Sequence, residues 1–445
     1  MRGSIFRREL RELFRLAAPL AAAQAGTQMM GLVDVAVLGR LGAHELAGAG
    51  MANAVYFAVS VFGMGMMLGI DPLVAQAVGA GDHTRARHVL WQGIWLSIGV
   101  TAVLTVVLLA GAAALPIVGA EPEVEAHARS FLLVRTASLL PFLMFFVIRA
   151  YLQAHHVTRP LIVAMVVANI LNLLLDLAFV FGFGPIPALG VPGAALATVI
   201  CTTVEVIIVA IAVRKMKMPA PVDPRPDRAA IAQAVRVGFP IALHMGAEIG
   251  VFALVALLAG RLGALHLAAH QLVIGLASFS FTTAVGVATA GSVRVGNAIG
   301  AHDSVRTRVA GHAAFVCGLV VMGVAAAAFA LIPGPLARIF TNEAPVIAVA
   351  IPLMMVAAVF QLSDGIQAVG AGVLRGAADT KYTFYANMVG HWLIGLPIAL
   401  WLGFSRGMGI LGLWWGLCVG LTVVAVLLFV RFERLSRGAI APIAH

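Results

Sequence analysis

The sequence predicts an all-α membrane protein with twelve transmembrane helices in two pseudo-symmetric six-helix bundles, a parallel repeat. Three observations lead there: the composition, the length of the apolar runs, and an internal duplication. Hydrophobic residues make up 61% of the chain and charged residues 11%, against about 25% charged in a soluble domain. Mean hydropathy is +1.01. The stretches between charge clusters are each long enough to cross roughly 30 Å of hydrocarbon at about 20 residues per helix. Alternating ten-residue segments are missing, so the pattern is helical and not that of a β-barrel.

The duplication emerges when the sequence is shifted by 221 residues. Gly39-Arg40-Leu41-Gly42-Ala43 then falls on Gly260-Arg261-Leu262-Gly263-Ala264, Arg15 on Arg236 and Pro19 on Pro240. Asp82 meets Asp303, and Arg85 and Arg87 meet Arg306 and Arg308. At shift 222, Leu152, Thr158 and Arg159 meet Leu374, Thr380 and Lys381. Loop landmarks held in register in this way mark a true repeat. The expected spans are 11–38, 46–77, 87–115, 124–150, 160–182, 191–214, 229–259, 267–297, 308–335, 345–372, 382–404 and 409–432. An N-terminal lobe over 1–214 and a C-terminal lobe over 229–445 follow, joined by the proline-rich, charged linker 215–228.

The opening resembles a signal peptide, with Arg7, Arg8 and Arg11 ahead of an apolar run and Ala23-Gln24-Ala25 as an apparent cleavage site. The same pattern recurs inside the chain around Arg236 and Pro240, so it is read as a first span. The net charge of +10 does not indicate nucleic acid, because the basic residues lie in short clusters between spans. All Lys and Arg fall on one side except Arg40, Arg129, Arg261, Arg338 and Arg406, and Arg135, which lies within a span. That side is cytoplasmic and holds both termini. Cys201, Cys317 and Cys418 are odd in number and lie in apolar runs, so packing is expected and a disulfide framework is not. Six spans per copy put both copies in the same orientation, with a cleft between two bundles that can rock.

Ionisable residues inside spans cost about 2.5–3.5 kcal/mol on insertion scales, so they mark sites facing a cavity, a partner or an ion. Asp34 lies toward the outer end of helix 1, with Thr27 two turns back on its face and Met30 between. In helix 5, Asn169, Asn172 and Asp176 share one stripe at i, i+3 and i+7. Such a stripe forms either an interhelical hydrogen-bond seam or, since it holds a carboxylate, a proton or sodium site with oxygen ligands. Glu248 stands one turn after His244 in helix 7, and Gln361, Asp364 and Gln367 share a face of helix 10. Through the repeat, Glu248 corresponds to Thr27 and Asp364 to Phe142, so the copies differ in where they hold charge. His244 and His391 are either hydrogen-bonded core residues or proton relays. The methionines clustered in helices 1 and 2, Met30 among them, either pack or line an adaptable surface. Asp71, Glu205 and Arg135 carry no assigned role.

No P-loop, no H-E-x-x-H or C-x-x-C pattern, no ladder of spaced arginines and no T-V-G-Y-G filter occurs in the sequence. No nucleophile and base stand at useful spacing, so an enzyme is not expected. What remains is a secondary transporter with no cofactor or structural metal.

Several stretches resemble the multidrug and toxic compound extrusion (MATE) family, in particular its bacterial NorM-like branch. They are Val33-Asp34-Val35-Ala36-Val37-Leu38-Gly39-Arg40-Leu41-Gly42 after Pro19, Ala75-Gln76-Ala77-Val78-Gly79-Ala80-Gly81, Gly238-Phe239-Pro240 ahead of Glu248, and Gln361 through Asp364-Gly365 to Gly372-Val373-Leu374-Arg375-Gly376. The resemblance covers roughly residues 10–435. It implies two lobes around a central cavity and export of amphipathic, often cationic compounds in exchange for inward Na⁺ or H⁺, from a bacterial inner membrane. By the same resemblance Asp34, Asn172 and Asp176 match a first-lobe cation site, and Glu248 and Asp364 a second-lobe acidic pair. Any Na⁺ at Asp34, Asp176, Glu248 and Asp364 would be transported cargo. Phe360, one turn before Asp364, stands where an aromatic hydroxyl would add a ligand. The expected partners are the lipid bilayer and small amphipathic molecules, with the chain acting as a monomer. The alternative function is a flippase for a lipid-linked oligosaccharide. Its phosphate would call for a cluster of cavity-facing arginines, and Arg135 is the only arginine well inside a span.

Overall fold

The structure is a computed structural model that describes residues 2–216 and 221–443. Its spans, in chain order, are α1 (Arg2–Leu38), α2 (Ala43–Gly79), α3 (His83–Ala114) and α4, a pair of helices (Pro122–Thr136 and Leu139–Ala154) bent by 44°. They continue with α5 (Arg159–Phe181), α6 (Val191–Lys215), α7 (Arg228–Arg261) and α8 (Ala264–Gly300). The last are α9 (Ser304–Leu331), α10 (Ala344–Gly376), α11 (Thr380–Ser405) and α12 (Gly409–Leu435). Ten of these are long and apolar enough to cross a membrane, and the bent α4 makes an eleventh. α1 is more polar, with Gln24, Gln28 and Asp34 along its length, and is the twelfth by its correspondence with α7. The expected end of span 9 at 335 is late: the helix stops at Leu331, and Pro333 opens a separate short helix, Pro333–Arg338.

The breaks have local causes. A proline supplies no N–H to the carbonyl four residues before it. Pro141 has no N–H to give the Ala137 carbonyl at the bend in α4, and Pro72 none to give that of Leu68, which accepts from the Asp71 N–H at 3.3 Å instead where α2 is interrupted at Leu68–Gly69. Large apolar side chains such as Val103 and Val106 on α3, or Val320 and Val324 on α9, lie exposed along the helices. A membrane protein presents such faces to lipid.

The duplication is visible in backbone geometry. Asp82 caps α3 by accepting from the Arg85 N–H at 2.9 Å, and Asp303 caps α9 by accepting from the Arg306 N–H at 2.9 Å. Just before them, Gly81 and His302 share a left-handed conformation (φ 75° and 55°). His156 and Ala378, paired by shift 222, do the same (φ 59° and 60°). Each closes a helix with a bond from the next residue to a carbonyl five positions back: Val157 N–H to Leu152, and Asp379 N–H to Leu374, both 2.9 Å.

The chain forms two compact units that differ from a division at the linker. One comprises Ala22–Val78 with Asp82–Ala242; the other comprises Met1–Ala21, Gly79–Gly81 and Leu243–His445. The opening part of α7 thus packs in the first unit and the opening part of α1 in the second. The switch points, after Ala21 and after Ala242, are themselves 221 residues apart. Small residues make this possible. In the first unit a Cβ on Gly65 would sit 2.4 Å from the Ala242 Cα; in the second, a Cβ on Gly286 would sit 2.8 Å from the Ala21 Cα. These are the same contact in the two copies.

The end of the linker is fastened within the first unit. Trp95 Nε1 donates to the Pro224 carbonyl at 2.7 Å and Gln92 Nε2 to that of Arg225 at 3.0 Å. Asp227 caps α7, accepting from the Ala229 N–H at 2.9 Å. The N–H groups of Ala229 and Ala230 hold its carboxyl below the usual aspartate range.

In the second unit α8 and α10 make close backbone contact. A Cβ on Gly372 would lie 2.3 Å from the Ala288 carbonyl oxygen, and one on Gly376 2.4 Å from that of Ser292. Gly372→Ala is therefore expected to cost about 1–3 kcal/mol, the usual penalty of overpacking. A lower melting temperature in detergent checks this, and an unchanged one refutes it. The core of this unit is aromatic. Trp414 is fully buried, its Nε1 donates to His270 Nδ1 at 3.2 Å, and Phe360 packs edge-on against both Trp414 and Phe252.

Candidate cation sites

Each unit sets a buried carboxylate beside a partly buried one, with amide or imidazole partners. In the first unit α1 and α5 bring Asp34, Asn172 and Asp176 together. Asn172 Nδ2 donates to Asp34 Oδ1 at 3.0 Å. From α6, Thr198 Oγ1 donates to Asp34 Oδ2 at 3.5 Å while also bonding the Ala194 carbonyl at 3.1 Å. Asp176 is wholly buried, lies against the Asp34 carboxyl, and has no well-placed donor to either oxygen. Met30 is buried beside this group against Ala168 and Cys201, so it packs the wall between α1, α5 and α6. A basic group also acts here. Arg135, in the last turn of the first α4 segment, exerts its charge on Asp176. Its guanidinium lies 4.8 Å from the Tyr56 ring centre, with Nε and Nη1 buried and unbonded.

Two residues of the predicted set stand apart. Thr27 is exposed and bonds back to the Ala23 carbonyl at 3.2 Å. Asn169 turns its amide to the Met165 carbonyl at 2.9 Å on its own helix. The sequence reading missed Thr198. The available signal was its place one turn before Thr202 on a face otherwise made of Ala194, Ala195 and Cys201.

In the second unit α7 and α10 bring Glu248, Asp364 and Gln367 together. Glu248 Oε1 accepts from Gln367 Nε2 at 3.3 Å, and Glu248 Oε2 lies 3.4 Å from His244 Nε2. Asp364 is buried and feels the Glu248 charge. Gln361, also buried, donates to the Ser280 hydroxyl on α8 and does not join the acidic pair. From α11, His391 packs its ring 6.2 Å from that of Phe252, and both ring nitrogens are buried without partners. Asn387, one turn earlier, is buried with both amide atoms likewise unbonded. Sequence reading passed over Asn387 because one asparagine near a span's end has no periodic signature. Cys201, Cys317 and Cys418 are all free and buried, as their apolar settings implied.

The comparisons with known proteins agree with this architecture. The MatE family model matches twice, over residues 19–178 and 240–401, so the two matches begin 221 residues apart. The chain is 34% identical over 435 residues to a probable multidrug resistance protein NorM of Agrobacterium fabrum, covering 95% of this chain and 93% of that one. It is 34% identical over 436 residues to the multidrug resistance protein NorM of Burkholderia vietnamiensis, covering 96% and 94%. Its fold is similar to the crystal structure of the eukaryotic MATE transporter AtDTX14, with a TM-score of 0.86, 23% identity and coverage of 98% and 99%. With the model matched once in each repeat and such relatives spanning nearly the whole length, the chain belongs to the MatE family, the multidrug and toxic compound extrusion transporters.

Proposed function

We propose that this protein is a secondary active multidrug efflux antiporter, exporting amphipathic, often cationic organic compounds in exchange for inward Na⁺ or H⁺. The observation behind this reading is the surplus of acceptors in each unit. Asp176 lies against Asp34 with no well-placed donor, and Asp364 lies near Glu248 with only Gln367 and His244 to offset the charge. Two carboxylates brought together away from water demand a proton or a cation between them. A site completed by a small cation is suited to exchange that cation for another. The bacterial relatives named for multidrug resistance support export from the inner membrane. The distribution of Lys and Arg supports cytoplasmic termini, and we take the working unit to be a monomer.

The test is transport in proteoliposomes with ethidium as the amphipathic cation. An imposed H⁺ or Na⁺ gradient should drive ethidium against its own gradient, and the ionophore for that ion should abolish the movement. A tenfold ion gradient is worth about 1.4 kcal/mol, so one-for-one exchange should support roughly tenfold accumulation. Ethidium movement indifferent to both gradients would overturn the antiport reading. Transbilayer movement of a lipid-linked oligosaccharide in its place would favour a flippase. The buried Arg294 gives that alternative no support, because its guanidinium is already paired with Glu9.

A further inference from the structure

We propose that the ion exchanged in the unit containing Leu243–His445 is a proton, and that His244 passes it between Glu248 and the membrane face on which both termini lie. The inference rests on the antiport reading and names its ion and its route.

His244 and Glu248 sit one turn apart on α7, both largely shielded from solvent (8% and 19% exposed), with Nε2 3.4 Å from Oε2. The opposite ring nitrogen, Nδ1, is buried and makes no hydrogen bond of full geometry. Against that ring lies the backbone of Thr383, one turn inside the start of α11. The charge of Arg375, next to the last residue of α10, also reaches the ring. α10 ends and α11 begins on the terminus-bearing face, since an even number of spans separates each point from a terminus. The imidazole thus joins the carboxylates on one edge to the membrane face on the other, the arrangement a two-nitrogen relay requires.

Every charged or titratable group around the ring fits this role. Glu248 is on its own helix. From α10 come Asp364, acting on Glu248, and Arg375; from α11 comes His391. The transfer balances. The Glu248 carboxyl gives its proton to Nε2, leaving a carboxylate and an imidazolium. The imidazolium then gives its Nδ1 proton to a water admitted from the terminus-bearing face, since Nδ1 is buried in the structure as it stands. Rotation of the neutral ring then returns a lone pair to Glu248.

The same surroundings suit Na⁺ poorly. A hard cation takes several oxygen ligands. Here one Glu248 oxygen faces imidazole nitrogen and the other faces the Gln367 amide nitrogen. One turn from Asp364 the neighbouring position is Phe360, whose ring is packed against Phe252 and Trp414.

The experiment follows substrate-induced proton movement with an entrapped pH dye, and ²²Na⁺ movement in parallel, in proteoliposomes of the full chain. Wild type should move protons, more slowly as the terminus-side pH is lowered. His244→Gln should slow this by at least about tenfold, the low end for a proton-transferring group, and flatten the pH profile. In His244→Ala, added imidazole should restore part of the rate, which a merely structural role would not allow. An unchanged melting temperature separates a lost relay from a lost fold; if His244→Gln unfolds, His244→Asn and the imidazole rescue decide. His244→Gln with the wild-type rate and profile, or wild type moving Na⁺ and no protons, overturns the proposal. Wild-type liposomes with no ion-coupled export at all would instead remove the antiport reading beneath it.

Discussion

Asp34→Asn, Glu248→Gln and Asp364→Asn combined are expected to leave membrane insertion intact and to abolish gradient-driven export. Asn and Gln keep the shape of the side chains and lower the cost of burial, so the fold loses little. On the antiport reading proposed above, what is lost is the group that binds the driving ion, and with it the coupling between ion and substrate. Couplings between sites are typically worth about 1–3 kcal/mol, or 5–150-fold, so uphill export should fall by roughly 100-fold while downhill leakage of substrate persists. The single variants divide the effect. Asp34→Asn leaves Asn172 and Thr198 facing an amide, whereas Glu248→Gln leaves His244 without its carboxylate. Whichever unit supplies the driving ion should show the larger loss. Export at the wild-type level by the triple variant would sink the assignment of these carboxylates.

The repeat was legible in the sequence because its landmarks are set by the backbone. Only certain residues tolerate the left-handed turns at 81 and 302, and only a side-chain acceptor caps α3 and α9 at Asp82 and Asp303. Register therefore survives there while apolar faces drift. The exchange of opening segments between units was not legible. Its determinants are Gly65 against Ala242 and Gly286 against Ala21, and small residues in an apolar run show where a helix is approached closely but not by which partner. The bend in α4 lay between these cases, since Pro141 announces a missing bond without giving the angle.

The candidate sites divide in a similar way. Charges within spans stand out by their cost, so Asp34, Asp176, Glu248 and Asp364 are singled out by the sequence, and the structure brings them together two by two. Asn169 and Thr27 share helical faces with them, yet each satisfied its side chain on a carbonyl one turn back, at Met165 and Ala23. Periodicity places a residue on a face; it does not decide between a local bond and a bond across helices. Thr198 makes both bonds at once, one to Ala194 and one to Asp34, and no local pattern distinguishes it from Thr203, which bonds only to Val199.

Glu9→Ala is expected to destabilise the protein more than any loss of a surface charge. Glu9, 4% exposed, sits in the part of α1 that belongs to the second unit, between Arg294 of α8 and Arg306 of α9. Its Oε2 accepts from Arg294 Nε at 3.0 Å and its Oε1 from Arg306 Nε at 3.0 Å. Arg294 is equally buried, so removing the carboxylate leaves a guanidinium without water and without its counter-charge. Breaking such a pair from one side costs about 3–5 kcal/mol, equivalent to roughly 6–20 °C in melting temperature for a cooperative unit of this size. Arg306→Ala should cost far less, because Arg306 is one-third exposed and water replaces Glu9 around it. Replacing both buried partners, Glu9→Leu with Arg294→Met, should recover most of the loss, since two apolar side chains remove the desolvated charges together. Melting curves of the three variants in detergent decide the matter. A Glu9→Ala protein that melts with wild type would mean that Arg294 is satisfied without Glu9. The opening segment of α1 would then be held in the second unit by its buried Leu13, Leu16 and Leu20 and by the Ala21–Gly286 contact.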